Sequence, residues 1–307
     1  MVDLVTIGWL TTDDIVLTDG TTRMGVSGGG ALYSAVGARI WSDSVGLHAA
    51  AGRPHFDATR SLLAERGIDP TGVAPARGNG IELWLLHESE VVKQQVAKRS
   101  SQLPLELDDD RGPLPREYAS ARGYHIAPQG PRSGMDKAER LAERGVIVTM
   151  DILCDRIIDA SLYRDLSFTA HLDAFLPSEI EIREVWSAVD PVAWLADTAV
   201  TTRCHMVGKF GSRGAVVAEA GGRRLIHVPS VEAKVLDTTG AGDAFCGGFL
   251  AGLAAGQDLA HAAAMGTVSA TYVIEAIGAL ATEQPTGANR DRRLAEALSG
   301  ITIERRP

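Results

Sequence analysis

Residues 235–256 read VLDTTGAGDAFCGGFLAGLAAG, and in them Asp237 and Asp243 flank a turn built on Gly240 and Gly242. Glycine at both places permits positive φ and close approach of the main chain, so successive N–H groups can turn toward one point. The apolar run from Ala244 reads as a helix, whose N-terminal pole adds positive potential there. An anion is expected at that point. Asp243 falls in the first helical turn, where the dipole favours its ionised form, so it can take a proton from a hydroxyl beside the anion. Convergent amides plus a carboxylate base suit phosphoryl transfer, in which positioning and charge stabilisation supply most of the rate. The bland alternative is a glycine loop capping a core helix, and both flanking aspartates argue against it.

A second cluster, Gly28, Gly29 and Gly30 in GVSGGGALYSAVGAR, precedes another helical pattern and could cradle a ligand by backbone contacts. A dinucleotide site is the competitor, but it requires GxGxxG directly after the first strand, and that motif does not occur.

These groups need a scaffold, and 307 residues with 45% hydrophobic and 22% charged content can bury a large core. Aromatics are sparse at 5% while alanine and glycine abound, which favours helices packed closely on a sheet. The net charge of −9 with no basic run speaks against nucleic acid as a partner, although a small phosphorylated ligand whose charge a metal neutralises is compatible. Cys154, Cys204 and Cys246 are odd in number, widely spaced and without a CxxC pair, the pattern of thiols in a reducing compartment. The opening MVDLVTIGWL lacks a basic flank and reads as a strand rather than a signal peptide. Apolar stretches are too short to span a bilayer, so a cytoplasmic protein with no membrane partner is expected.

Seven segments, LVTIGWL, SVGLHAAAG, GYHIAP, GVIVTMDIL, DAFLPS, CHMVGKF and GAVVAEA, read as strands. ALYSAVGARIW, HFDATRSLLAERG, SGMDKAERLAERG, SEIEIREVW and PVAWLAD read as helices between them. Such alternation predicts an α/β fold with a mainly parallel central sheet and helices on both faces, here as a single domain over 1–307. Residues 11–29 and 78–101 break the rhythm with alternating patterns around turn signals, and predict two hairpins forming a small β lid. PLELDDDRGPLP reads as a loop. His48, His125 and His205, in strand-like runs without carboxylate or Cys neighbours at ligand spacing, read as core or edge histidines. No GxSxG elbow supports a hydrolase triad.

DTTGAGDAFCGGF resembles the C-terminal signature of the ribokinase-like carbohydrate kinases, the PfkB family, and GGGALYSAVGAR is similar to that family's N-terminal Gly-Gly element. The resemblance covers nearly the whole chain and implies a three-layer α/β/α fold with ATP and Mg²⁺ as cofactors. It makes Asp243 the base that deprotonates the acceptor hydroxyl, and the N–H groups of Gly240, Ala241 and Gly242 the anion hole. Thr238 and Thr239 in the same loop, with Lys209, Gly211 and Gly214 in VGKFGSRGAVV, are implied on the nucleotide side. The two glycines there suit an ordinary hairpin equally well. Asp237 and Thr239 match the place where some members bind a monovalent cation. FLPSEIEIREV resembles the family's Asn-x-x-Glu element that orders magnesium, with Glu181 as the Glu and Ser178 in place of the Asn.

On the acceptor side the resemblance implies that Asp13, five positions after Gly8, grips substrate hydroxyls, with Asp14 as the alternative, and that Gly28, Gly29 and Gly30 approach the same molecule. Tyr33 stands where many sugar-kinase members carry Asn, and Leu153 and Arg156 depart from an Asp-x-Asn-x-Arg pattern. The expected activity is ATP-dependent phosphorylation of a hydroxyl on a sugar or sugar-like molecule. A nucleoside kinase, with Tyr33 offering a stacking face, and a non-catalytic ligand-binding homologue are the alternatives. In the lid, Trp84, Lys98 and Arg99 are candidates for covering the acceptor, and the alternation in IELWLLHE serves either that cover or a homodimer contact.

Overall fold

Strands with apolar residues on both sides need cover on both faces, and the chain supplies it by returning through a helix after most strands. The computed structural model describes residues 2–89, 93–154 and 158–306. The first half contains β1 (Leu4–Ile7), β2 (Thr11–Val16), β3 (Thr22–Gly28), α1 (Gly30–Arg39), β4 (Val45–Ala51), α2 (Phe56–Glu65), β5 (Ile68–Asp69), β6 (Val73–Pro75), β7 (Ile81–His87), β8 (Lys93–Ala97) and α3 (Pro104–Asp110). The second contains β9 (Gly123–Ile126), α4 (Pro131–Ala142), β10 (Ile147–Met150), β11 (Ala174–Phe175), α5 (Glu179–Trp186), α6 (Pro191–Thr202), β12 (His205–Lys209), β13 (Ala215–Ala218), β14 (Arg224–Val228), α7 (Ala241–Ala254), α8 (Leu259–Ile274), α9 (Gly287–Ser299) and β15 (Thr302–Arg305).

The main sheet runs β15-β14-β13-β12-β11-β10-β9-β1-β4-β5, with β6 also on β4. It is parallel from β5 to β12 and antiparallel from β12 to β15. Alternation along β1 shows how the layers form: Val5 and Ile7 join the core under α4, α5 and α6, whereas Leu4 joins the core under α1 and α7. Every segment read as strand or helix from sequence contains an element of that type. The exception to the reading is PLELDDDRGPLP, where Pro104 starts a short helix that buries Leu107. Proline is tolerated at the first helical position, and one apolar anchor among acidic residues is too weak a period to detect. No helix among the described residues is long and apolar enough to cross a membrane.

A separate four-stranded sheet, β3-β2-β7-β8, covers the strand ends. Its strands lie within the two segments read as hairpins; β2–β3 and β7–β8 pair antiparallel, and the two ribbons join by a parallel β2–β7 ladder.

Glycine lets the site-bearing helices approach on their backbones. A Cβ on Gly247 of α7 would fall on the Ser34 carbonyl oxygen of α1, and one on the adjacent Gly248 would meet Ser269 of α8. Gly247→Ala should therefore destabilise by at least the cost of overpacking, about 1–3 kcal/mol. An unchanged thermal midpoint would show that α1 and α7 separate without cost.

Candidate active site

Asp243 reaches a cleft because Gly240, at φ 75°, turns the chain into α7. A side chain on Gly240 would collide with the Tyr33 ring of α1, so the loop closes only with glycine there. Opposite, α1 begins at Gly30, where a Cβ would lie 2.7 Å from Oδ1 of Asp243. A Cβ on Gly28 would fall on the Asp13 carboxylate, and Gly29 adopts φ 100° against the Trp9 carbonyl. The three glycines thus let one carboxylate from β2 and one from α7 pack against the start of α1.

Two clefts meet at Asp243. One is lined by Trp9, Asp13, Gly29, Gly30, Tyr33, Thr239 and Gly240, with Ile81, Leu83, Leu85 and Lys93 from the lid. The other is lined by Asp151, Ser178, Glu181, Lys209, Gly211 and Gly242. Asp243, Pro128 and Leu153 line both. A carboxylate with access to two adjoining clefts can act on a molecule in one while a reacting group enters from the other.

The electrostatics separate the two aspartates from ordinary surface acids. Burial, with Asp151 adding repulsion, pushes Asp243 up to about 6 against the pull of Lys209 and Lys93. It is still ionised at neutral pH, but basic enough to accept a proton, a refinement of the fully ionised group expected from the helix dipole alone. Burial likewise raises Asp13 to about 7, opposed by Lys93 and Lys98. Asp13 Oδ1 is buried without a hydrogen-bond partner, a state whose cost a ligand hydroxyl removes. Burial lowers Lys209, but Asp151, Cys246, Glu181 and Asp243 more than offset that and hold it charged, ion-paired to Asp151.

Strand register distinguishes Asp13 from Asp14. Asp13 pairs with Leu83 and Asp14 with Trp84, so the two point to opposite faces of the lid. Leu83 and Leu85 face the cleft with Asp13, while Asp14 binds Lys98, whose ammonium stands 5.3 Å over the Trp84 ring. Trp84 and Lys98 therefore serve the lid's other face, and Arg99 is exposed in a turn. What the lid brings to the site instead is Lys93, whose Nζ donates to Thr239 Oγ1 at 2.9 Å, and His87, whose Nε2 lies 3.4 Å from Asp237 Oδ1. Neither had a local signal, since both reach the loop only through the β2–β7 pairing.

On the other cleft, Ser178 and Glu181 form a capping box on α5: the Ser178 N–H donates to Glu181 Oε2 at 2.6 Å, and the Glu181 N–H donates to Ser178 Oγ at 3.3 Å. Ser-x-x-Glu is the pattern of that cap, so the spacing has a local structural use beside any metal. Gly211 lines the cleft, but Gly214 does not; its φ of 84° places it where a Cβ would meet the Val228 carbonyl. Asp237 is buried beneath the loop that carries Thr238 and Thr239. Ala241 opens α7, Leu153 lines both clefts, and Arg156 lies outside the described residues. His48 and His125 are buried and driven by burial to about 4 and about 3, so both are neutral at physiological pH; His205, also lowered by burial, accepts from the Ala220 N–H.

Among the described residues, no three His, Cys, Asp or Glu side chains are grouped to hold a metal alone. Magnesium arriving with a nucleotide needs only one or two carboxylates beside the phosphates, and Asp151 and Glu181 fit that requirement. Asp237 Oδ2, buried and without a partner, fits a monovalent cation.

A family model described as pfkB family carbohydrate kinase matches residues 9–286. A cytidine kinase from Thermococcus kodakarensis is 29% identical over 292 residues, spanning 91% of this chain and 98% of that protein. A nucleoside kinase from Burkholderia thailandensis, solved in complex with inosine, superposes with a TM-score of 0.76 at 18% identity, covering 96% of this chain and 97% of that one. A ribokinase from Cryptococcus neoformans var. grubii serotype A, solved with ADP, superposes with a TM-score of 0.72 at 15% identity, covering 95% of this chain and 100% of that one.

Proposed function

The chain belongs to the pfkB family of carbohydrate kinases and is an ATP-using phosphotransferase with an alcohol acceptor; we propose that this acceptor is a nucleoside, phosphorylated on a ribose hydroxyl. The observation that carries the reading is the position of the Asp243 carboxylate where the two clefts join. The acceptor class follows from the lining of the lid-side cleft. Trp9, Ile81, Leu83, Leu85 and Leu153 make an apolar wall, and Asp13 with its unpartnered oxygen is joined by Thr11, Lys93 and Gln95 as the polar part of the lining. A ribose diol on Asp13 with a flat base on the apolar wall uses both features. A free sugar would press further hydroxyls against hydrocarbon and leave them unpaired. The cytidine kinase and the inosine-bound relative are consistent with this. The sugar reading is supported by Asp13, which serves any vicinal diol, and by Thr11, Lys93 and Gln95 beside it.

In the proposed mechanism Asp243 removes the proton from the attacking hydroxyl. The N–H groups of Gly240 and Gly242 would hold the phosphoryl group at the N-terminus of α7, joined by that of Ala241 once it leaves the Thr238 carbonyl, to which it donates at 3.3 Å. Lys209, kept charged by its acidic neighbours, and Lys93 from the lid add positive charge on either side of Asp243. Gly211 shapes the nucleotide side, whereas Thr239 lines the lid-side cleft and Thr238 and Gly214 line neither. Magnesium near Glu181, Ser178 and Asp151 would neutralise phosphate charge when bound. A monovalent cation at Asp237 would compete with His87 for the same carboxylate. A homodimer, if formed through the lid, would use the face that carries Trp84 and Val96.

An ATP-dependent phosphorylation panel of cytidine, adenosine, inosine, ribose and fructose tests the assignment. Nucleosides should exceed the free sugars in kcat/KM by at least about tenfold, equal to about 1.4 kcal/mol of selective contact. Comparable or better turnover of a free sugar overturns the nucleoside reading. Tight nucleoside binding without turnover identifies the non-catalytic alternative.

A further inference from the structure

The polar groups that the lid brings to the acceptor cleft divide by position. Alternate residues of β8 face opposite ways: Lys93 and Gln95 line the cleft, whereas Gln94 turns to the other face and bonds Glu88. On β7, His87 lies opposite Lys93 and Leu85 lies opposite Gln95. Lys93 is committed to the reaction end, since its Nζ donates to Thr239 Oγ1 and its charge acts on Asp243. Gln95 stands one strand repeat further out, about 6.8 Å along β8, beside Leu85 of the apolar wall. Thr11 and Asp13 are on β2, with β7 between them and β8, and Thr11 pairs with Gly28.

Gln95 is therefore the polar lining group that neither the reaction end nor the Asp13 end uses. Its side chain is exposed and, among the described residues, makes no hydrogen bond. An amide is uncharged and carries an acceptor and two donors side by side. Nothing in the lid fixes which way round this one points.

We propose that Gln95 is the base-recognition residue of the acceptor cleft, binding the edge of a nucleobase that presents a hydrogen-bond donor next to an acceptor. The inference rests on the nucleoside reading and deepens it. A nucleoside has three separate polar ends: a diol, a primary hydroxyl and a base edge. The cleft offers a polar group for each on three different elements, Asp13 on β2, Asp243 on α7 and Gln95 on β8. With the diol on Asp13 and the hydroxyl at Asp243, the base lies against Leu83 and Leu85, and its edge meets the side chain that borders Leu85. Amide and base then exchange two hydrogen bonds, the pairing by which Gln reads adenine. Turning the amide over exchanges its donor and acceptor. One side chain thus serves cytosine, whose N4–H adjoins the N3 acceptor, and hypoxanthine, whose N1–H adjoins O6. Such a lid accepts several bases and disfavours a flat ring without polar atoms.

Steady-state kinetics with cytidine and with the riboside of benzene, which keeps the ring and the diol but has no donor or acceptor on the ring, test the assignment. The wild type should favour cytidine in kcat/KM by at least about fivefold, the lower end for two neutral hydrogen bonds. In Gln95→Leu that preference should vanish, through a higher cytidine KM. Gln95→Glu keeps the shape but only accepts, so the ratio of cytidine to guanosine turnover should move by about fivefold or more toward guanosine, whose edge presents two donors. Gln94→Leu, on the lid's other face, is the control and should keep the wild-type preference. Free ribose or fructose outpacing every nucleoside removes the acceptor class and the role of Gln95 together. Selectivity for nucleosides with cytidine and the benzene riboside turned over equally overturns the role of Gln95 alone. So does a preference that survives Gln95→Leu, including a loss shared equally by both ribosides, or one that Gln94→Leu abolishes as completely.

Discussion

Asp243→Asn should lower kcat by about 10²–10⁴-fold, the usual worth of a positioned general base, while the affinity for ATP changes little. The amide fills the same space against Gly30, so neither cleft changes shape. What is lost is the lone pair that takes the hydroxyl proton. Because Asp243 titrates near 6 and is needed ionised, wild-type kcat/KM should fall with acid through pH 6, whereas the residual activity of the variant should lack that limb.

The same substitution should stabilise the fold. A carboxyl raised in the folded state from its ordinary value to about 6 binds more protons folded than unfolded, so the stability it provides is complete below pH 4 and is lost as pH rises to 6. Two units correspond to about 3 kcal/mol. Asp243→Asn should therefore melt above the wild type at pH 7 and approach it at pH 4. Normal turnover in the variant, or equal melting at pH 7, removes the base from this position.

Asp13→Ala should raise the acceptor KM and, above pH 7 where Asp13 is ionised, lower kcat/KM by about 10²–10⁴-fold, the loss of two hydroxyl bonds to a charged group at about 1.5–3 kcal/mol each. The ATP KM should stay near its wild-type value, since Asp13 lines only the lid-side cleft. A deoxy analogue lacking one of the gripped hydroxyls should be discriminated against by the wild type and not by the variant. Asp14→Ala, which removes a partner of Lys98 on the lid's other face, is the control and should leave the acceptor KM unchanged. If Asp14→Ala has the larger effect, the register argument fails.

The contrast between neighbouring aspartates shows where sequence reading stopped. Local chemistry was legible: positive φ at Gly240, a carboxylate in the first turn of α7, and alternation of strands with helices all follow from nearby residues, whereas Gly242, read as a second such position, is helical in α7. The lid strands were legible for the same reason, because period-two patterns and turn residues act over a few positions. Ser178 and Glu181 were legible as a pair, but their spacing serves a helix cap as well as a metal, and only coordinates reveal the cap.

The tertiary structure decided matters that depend on register and on distant partners. A one-residue slip exchanges Asp13 with Asp14, and the β2–β7 ladder, joining strands far apart in the chain, fixes it. Lys93 meets Thr239 across 146 positions, and Arg111 shares Asp108 with Trp9 across 99. The sequence by itself determined an α/β scaffold and a glycine turn that places a carboxylate in the first turn of a helix, because backbone permission and helix polarity are short-range. Which face that carboxylate shares, what wall confronts it and which cations surround it were decided by packing, since burial and Coulomb forces act between groups that only folding brings together.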